Sequence, residues 1–138
     1  MNYLLDANIC IYLLNRNPGY EQIIAHIDGR AYSEIGISAI TLAELEYGIA
    51  KSVKKASNRL KLELFLHQFE SLPFDDRASA TYGKVRTALE ANGDPIGPLD
   101  ALIASHALSL NATVVTNNTR EFLRVAGLRT ENWLDPGR

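Results

Sequence analysis

Short apolar runs rich in β-branched residues alternate along this chain with segments whose apolar residues recur at helical spacing. That alternation constrains the fold more than any other feature. Residues 2–6 read as a strand and roughly 8–14 as a helix ended by "NRNPG", with a second helix from Tyr20 to Ile27. "EIGISAI" has the character of a buried strand and runs into "TLAELEYGIAKS", where Leu42, Leu45 and Ile49 repeat at helical spacing. "VKKASNRLKLELFLHQFE" is a further amphipathic helix or helix pair, and "SLPF" another short strand. Asp75 or Asp76 caps the helix "RASATYGKVRTALEA", which "NGDPIGP" terminates. "LDALIASHALSL" is a helix, "ATVVT" a strand, "NTREFLRV" a short helix and "LRTENW" a weak final strand. Strands separated by helices imply a mainly parallel central sheet covered on both faces, an α/β fold of the three-layer α/β/α sandwich type. Without a repeat, a low-complexity tract or a linker, residues 1–138 read as a single domain.

Four carboxylates fall at comparable places in this pattern. Asp6 ends the first strand, Glu44 lies in the first turn of the helix after "GISAI", Asp100 sits just inside the helix after "IGP", and Glu121 follows "TVVT". In a parallel sheet the strand C-termini share one edge, where ligands bind, so residues distant in sequence converge there. Each acid also has a purely structural explanation. Thr41 to Glu44 fits a capping box with Thr41 as N-cap, and Asp100 complements a helix N-terminus that begins at Pro98. Glu121 reads as an ordinary first-turn acid. Against this, Asp100 shares a helical face with Ile103, Ala104 and Ala107, where a merely solvated charge is out of place. Asp6 has the weakest structural explanation, because a carboxylate at the end of a buried strand loses hydration that something must replace. Clustered carboxylates repel unless a divalent cation neutralises them, and oxygen-only ligation suits Mg²⁺ or Mn²⁺. Such ions bind phosphates and activate water, which is the chemistry of phosphodiester hydrolysis.

Composition limits the alternatives. Net charge is −2 and pI about 5.9, so no global basic field marks a simple nucleic-acid-binding module, although a nuclease with an acidic metal site is compatible with that balance. Cys10 is the single cysteine, which excludes an internal disulfide and a cysteine-based zinc site. His26, His67 and His106 lack metal-ligand spacing and read as surface or packed residues. The apolar N-terminus lacks a basic flank and is interrupted by Asp6 and Asn8, so it does not read as a signal peptide. No run approaches the length of a membrane span. The expected compartment is a reducing cytoplasm.

At "LLDANICIYLL", "ISAITLAELEYGIAKS", "GDPIGPLDALIASHAL" and "VVTNNTREFLRVAGLRTENW" the chain resembles PIN-domain ribonucleases, specifically the VapC toxins of bacterial toxin–antitoxin pairs. The pieces occur in family order over nearly the whole chain. The resemblance implies a PIN fold and a Mg²⁺-dependent endoribonuclease for which Mn²⁺ substitutes, usually homodimeric and inhibited by a VapB-like antitoxin. Transfer RNA is one substrate it implies. Carried onto this chain, it makes Asp6 and Asp100 the metal ligands, with Glu44 assisting and Glu121 as the fourth acid. Asn8, Thr116 and Asn117 are polar support. Some PIN relatives have aspartate where this chain has Asn118. Family members often have Thr where this chain has Ala7, so a hydroxyl near Asp6 is missing. The implied reaction is in-line attack of water on a phosphate bridged to Mg²⁺, with departure of the 3′ oxygen.

Other features are less specific. Lys51, Lys54, Lys55, Arg59 and Lys61 read either as an RNA-tracking stretch or as the solvated face of a helix, and Arg120, Arg124 and Arg129 are alternative phosphate contacts. Leu60, Leu62, Leu64, Phe65, Leu66 and Phe69 exceed one apolar stripe, as core residues or as a surface for a partner. Two further functions are compatible with the fold. A metal-dependent phosphatase expects a second aspartate where Asn8 stands, and a non-catalytic PIN-like interaction module has no need of the four acids.

Overall fold

In the computed structural model, which describes residues 2–134, the short apolar runs become the strands of one sheet. They are β1 (Tyr3–Leu5), β2 (Ile35–Ser38), β3 (Glu70–Leu72), β4 (Thr113–Val115) and β5 (Thr130–Glu131). The order across the sheet is β3-β2-β1-β4-β5, and every pairing is parallel. The chain therefore builds outward from β1 on one side through β2 and β3, then crosses to build β4 and β5 on the other. The crevice between β1 and β4 is the point at which the winding reverses, the place where open parallel sheets take ligands.

The helices are α1 (Ala7–Asn15), α2 (Tyr20–Ile27), α3 (Ala39–Ala50), α4 (Lys55–Leu66), α5 (Asp76–Ala91), α6 (Pro98–Leu110) and α7 (Thr119–Phe122). Successive strand residues face opposite ways, and two clusters use this. Leu5, Ile35, Ile37 and Val115 join Ile9, Ile23, Leu45, Leu62, Phe65 and Trp133 on one face. Leu4 and Val114 join Val85, Leu89, Ile103, Ala104 and Phe122 on the other. These two cores make the three layers. Trp133, beyond β5, is 1% exposed; it packs on the Tyr3 ring at 5.1 Å and stacks with His26 at 5.0 Å.

Several boundaries differ from the sequence reading for local reasons. Thr41 is not the N-cap of α3: that role belongs to Ser38, whose Oγ accepts from the Ile40 N–H at 3.0 Å. The helix therefore starts earlier and "EIGISAI" yields only a four-residue strand. Thr41 is instead buried inside the helix and donates to the Leu5 carbonyl at 3.4 Å. Asp75, not Asp76, caps α5, accepting from Ala78 N–H at 2.9 Å. The segment after "TLAELEYGIAKS" is one helix, not a pair. Its apolar residues divide: Leu62, Phe65 and Phe69 are buried, whereas Leu60 and Leu64 are exposed. Asn111 ends α6 in the left-handed conformation at φ 55°, one that asparagine tolerates better than most residues. Among the described residues no helix is long and apolar enough to cross a membrane.

Candidate active site

Asp6 leaves the C-terminal end of β1 and immediately caps α1. Its Oδ1 accepts from the Ile9 N–H at 2.9 Å, and the side chain is only 7% exposed. Burial pushes its pKa up; a hydrogen bond from Thr116 and the backbone N–H groups of Ile9 and Asn8 oppose that rise. Thus the carboxylate seen in the sequence as a strand terminus is also a helix cap, a role worth about 1 kcal/mol.

Glu44 stands in the second turn of α3, beyond any capping position. Burial raises its pKa first, and the charge of Asp6 raises it further. Asp100 is in the first turn of α6, which opens with Gly97 and Pro98. Its helical neighbours Ile103, Ala104 and Ala107 are buried, as the face argument requires. Desolvation, the hydrogen bond with Glu121 and the charges of Glu121, Asp6 and Glu44 raise Asp100 from 3.8 to about 7.

Glu121, in the first turn of α7, is held the other way. Its hydrogen bond with Asp100 lowers its pKa, as does the Gly97 N–H, which donates to Oε1 at 2.8 Å, with further help from the Asn118 amide and the Arg124 charge. The opposite shifts belong to one interacting pair, with Asp100 pushed toward its protonated form and Glu121 toward its charged form.

Asp6, Ala7, Asn8, Glu44, Asp100, Ile103 and Asn118 line a cleft of about 210 Å³ at the sheet's C-terminal edge. No lysine or arginine is among them. Glu44 also lines an adjoining groove of about 200 Å³ floored by Ile11, Leu45, Ile49 and Leu62. Thr116 is buried beneath the cleft, and its Oγ1 accepts from the Asn118 N–H at 2.9 Å. Asn117 points elsewhere, its Oδ1 accepting from the Asn132 amide at 3.1 Å. The sequence reading missed the contributions of the Gly97 N–H and the Asn118 amide. Only the Gly-Pro helix start gave any local signal of the former.

The donor set suits a hard divalent cation: carboxylate and amide oxygens in a cleft whose acids suppress one another's ionisation. Among the described residues no group of three or more acids, histidines or cysteines is preassembled to hold a metal ion.

The basic residues are mostly committed. Arg124 pairs with Asp94 at 3.3 Å and donates to the Pro95 carbonyl at 3.0 Å, while Arg129 donates to the Asn111 carbonyl at 2.8 Å. Arg59 pairs with Glu46 at 2.6 Å, and Lys51 lies over the Tyr47 ring. Lys54, Lys61 and Arg120 are exposed.

The PIN domain family matches residues 3–128 of this chain. Ribonuclease VapC2 of Rickettsia felis is 46% identical over 134 residues, covering 96% of this chain and 98% of that protein. The chain belongs to the VapC family of PIN-domain ribonucleases. The tRNA(fMet)-specific endonuclease VapC of Shigella flexneri is 39% identical over 133 residues, again 96% of this chain and 98% of its own length. In three dimensions the chain is similar to VapBC2 of Rickettsia felis bound to a promoter DNA fragment, with a TM-score of 0.86 at 45% identity, over 96% of this chain and 99% of that one. The DNA-bound VapBC of Salmonella typhimurium gives a TM-score of 0.86 at 38% identity, over 96% and 98%. The α/β/α fold and the family expected from the sequence are both borne out. The phosphatase and the non-catalytic module are not favoured, and VapC ribonucleases in general depend on divalent metal.

Proposed function

We propose that this VapC protein is the toxin of a type II toxin–antitoxin pair, an endoribonuclease hydrolysing RNA phosphodiester bonds with Mg²⁺, for which Mn²⁺ substitutes. The observation that carries the reading is the convergence of Asp6, Glu44 and Asp100 on one cleft, with Glu121 bonded to Asp100 behind it. Asp6 and Asp100 would hold the metal ion, which would supply charge neutralisation for the acids, polarisation of the phosphate and a more acidic water. Glu44, at the mouth of the cleft, orients the attacking water and takes its proton. Glu121, fixed by Gly97 and Asn118, holds Asp100 in place. Asn8 and Thr116 support Asp6, whereas Asn117 supports the loop after β4. Attack in line breaks the P–O3′ bond and leaves 5′-phosphate and 3′-hydroxyl ends.

The relatives support the substrate class and the partner: one is a tRNA(fMet)-specific endonuclease, and two of the similar structures are VapBC complexes. Transfer RNA is accordingly the first substrate to test, a VapB-like protein the inhibitor, a homodimer the working unit and the cytoplasm its compartment. The test is incubation of the purified chain with total RNA and transfer RNA, in Mg²⁺ and in EDTA, beside Asp6→Asn and Asp100→Asn. Discrete cuts that need Mg²⁺ and disappear in both folded variants support the reading. Cleavage that survives EDTA and both substitutions overturns it.

A further inference from the structure

Three buried polar side chains lie behind the acidic cleft without entering it. Ser38, at the junction of β2 and α3, is 0% exposed, Thr41 in α3 is 0% and His106 in α6 is 1%. The Ser38 Oγ lies 2.8 Å from His106 Nδ1 and accepts from the Ile40 N–H at 3.0 Å. A serine hydroxyl has a single proton, and among the described residues Nδ1 is the one acceptor within hydrogen-bonding reach of it, so Oγ–H donates to Nδ1. The imidazole is then neutral with its hydrogen on Nε2, the state that burial also favours. Thr41 donates to the carbonyl of Leu5, the residue immediately before Asp6.

The connections are specific in what they join. Ser38 and Thr41 belong to the start of α3, whose next turn carries Glu44. His106 rides on α6 with Asp100. Leu5 is the residue from which Asp6 departs. The hydrogen bonds thus tie together three of the elements that bring acids to the cleft, where those acids repel one another and tend to push α1, α3 and α6 apart. Aliphatic packing resists separation but tolerates sliding, whereas a buried hydrogen bond fixes register and is costly to break.

We propose that His106 and Ser38, with Thr41, form a buried positioning network that sets the separation of the Glu44, Asp6 and Asp100 carboxylates and thereby tunes the site's affinity for a divalent cation. This rests on the reading of those acids as the cation site. None of the three side chains touches the substrate or the ion; each acts through the helix or strand end it anchors.

The test is Mn²⁺ binding to the full chain by calorimetry, well below the unfolding temperature, with Asp100→Asn as reference. His106→Leu removes the acceptor for the Ser38 hydroxyl, and His106→Asn restores an acceptor oxygen near the Nδ1 position. Thr41→Val and Thr41→Ser form a second, gentler pair that keeps the test open should His106→Leu fail to fold. Residues that orient metal ligands typically change affinity 10- to 100-fold; acting through a helix, these should weaken Mn²⁺ binding by about 5- to 10-fold in His106→Leu and Thr41→Val. His106→Asn and Thr41→Ser should return within about twofold of wild type, a recovery that loss of core packing alone does not give. Wild-type affinity in folded Leu and Val variants, with binding abolished in Asp100→Asn, overturns the network and leaves the site intact. Failure of the wild type itself to bind Mn²⁺ overturns the acidic-site reading, and the network with it.

Discussion

Asp100→Asn should make the metal-free protein more stable, although it removes a residue of the proposed active site. Asparagine has nearly the same shape and retains a donor for Glu121, so the change removes charge and little else. In the folded chain the Asp100 carboxyl is raised from 3.8 to about 7, chiefly by burial and by Glu121. Between those values the folded state binds more protons than the unfolded chain, so the stability associated with this group is present at low pH and lost as pH rises through about 7. A rise from 3.8 to about 7, at about 1.36 kcal/mol per pH unit, amounts to about 4 kcal/mol before solvent screening. The opposite shift of Glu121 returns part of this, and Asp100 is only half-buried, so screening by water reduces the remainder. A gain of about 1–2 kcal/mol at pH 8 is the reasonable expectation, or about 3–8 °C in Tm for a chain of this size. Thermal unfolding in EDTA at pH 5 and pH 8 measures it: the variant should gain at pH 8 and much less at pH 5. With Mg²⁺ at ten times its dissociation constant the wild type recovers about 1.4 kcal/mol that the variant cannot, which narrows or reverses the difference. An Asp100→Asn protein less stable than wild type at pH 8 without metal would refute the repulsion argument.

Other outcomes follow from the same geometry. Asp6→Asn should keep the fold, since asparagine also caps helices well, yet lose more than about 100-fold in RNA cleavage, exceeding the usual cost of losing an outer-shell partner; circular dichroism beside a cleavage assay checks both halves. Thr116→Val removes a donor that holds the Asp6 pKa down, so the pH–rate profile should move to more alkaline pH. Arg124→Ala should cost only about 0.2–1 kcal/mol, because its pair with Asp94 is well exposed, and denaturant titration should find it nearly neutral. Trp133 is the single tryptophan and is almost wholly buried; Trp133→Ala should destabilise by about 3–5 kcal/mol, measurable by urea unfolding followed by circular dichroism.

Much of this architecture was legible because it is written in local pattern. The apolar runs at Tyr3–Leu5 and Thr113–Val115 are strands, and the apolar face around Asp100 is the buried face of α6. Asp6, Glu44 and Asp100 line one cleft because parallel strands bring their C-terminal ends to one edge. What sequence alone misassigned depends on competition between chemically equivalent groups. Ser38 and Thr41 are both good N-caps, and the T-x-x-E spacing favours Thr41. In the fold Thr41 bonds the Leu5 carbonyl from inside the helix and Ser38, at the cap, bonds His106, both partners being supplied by distant segments. Arg124 and Arg129 looked available for phosphate because their partners, Asp94 and Asn111, lie on other segments. The opposite shifts of Asp100 and Glu121 are likewise a tertiary property: each is a first-turn acid in sequence, and the burial of Asp100, with the Gly97 N–H, the Asn118 amide and the Arg124 charge acting on Glu121, sets their directions.

The most direct test of the acidic site is a crystal of the protein soaked in Mn²⁺, with anomalous diffraction locating the ion. The geometry predicts a peak in bonding contact with carboxylate oxygens of Asp6 and Asp100, near Glu44, and no such peak in Asp100→Asn. A fully occupied ion bound elsewhere, with the Asp6–Asp100 cleft holding only water, would contradict the account.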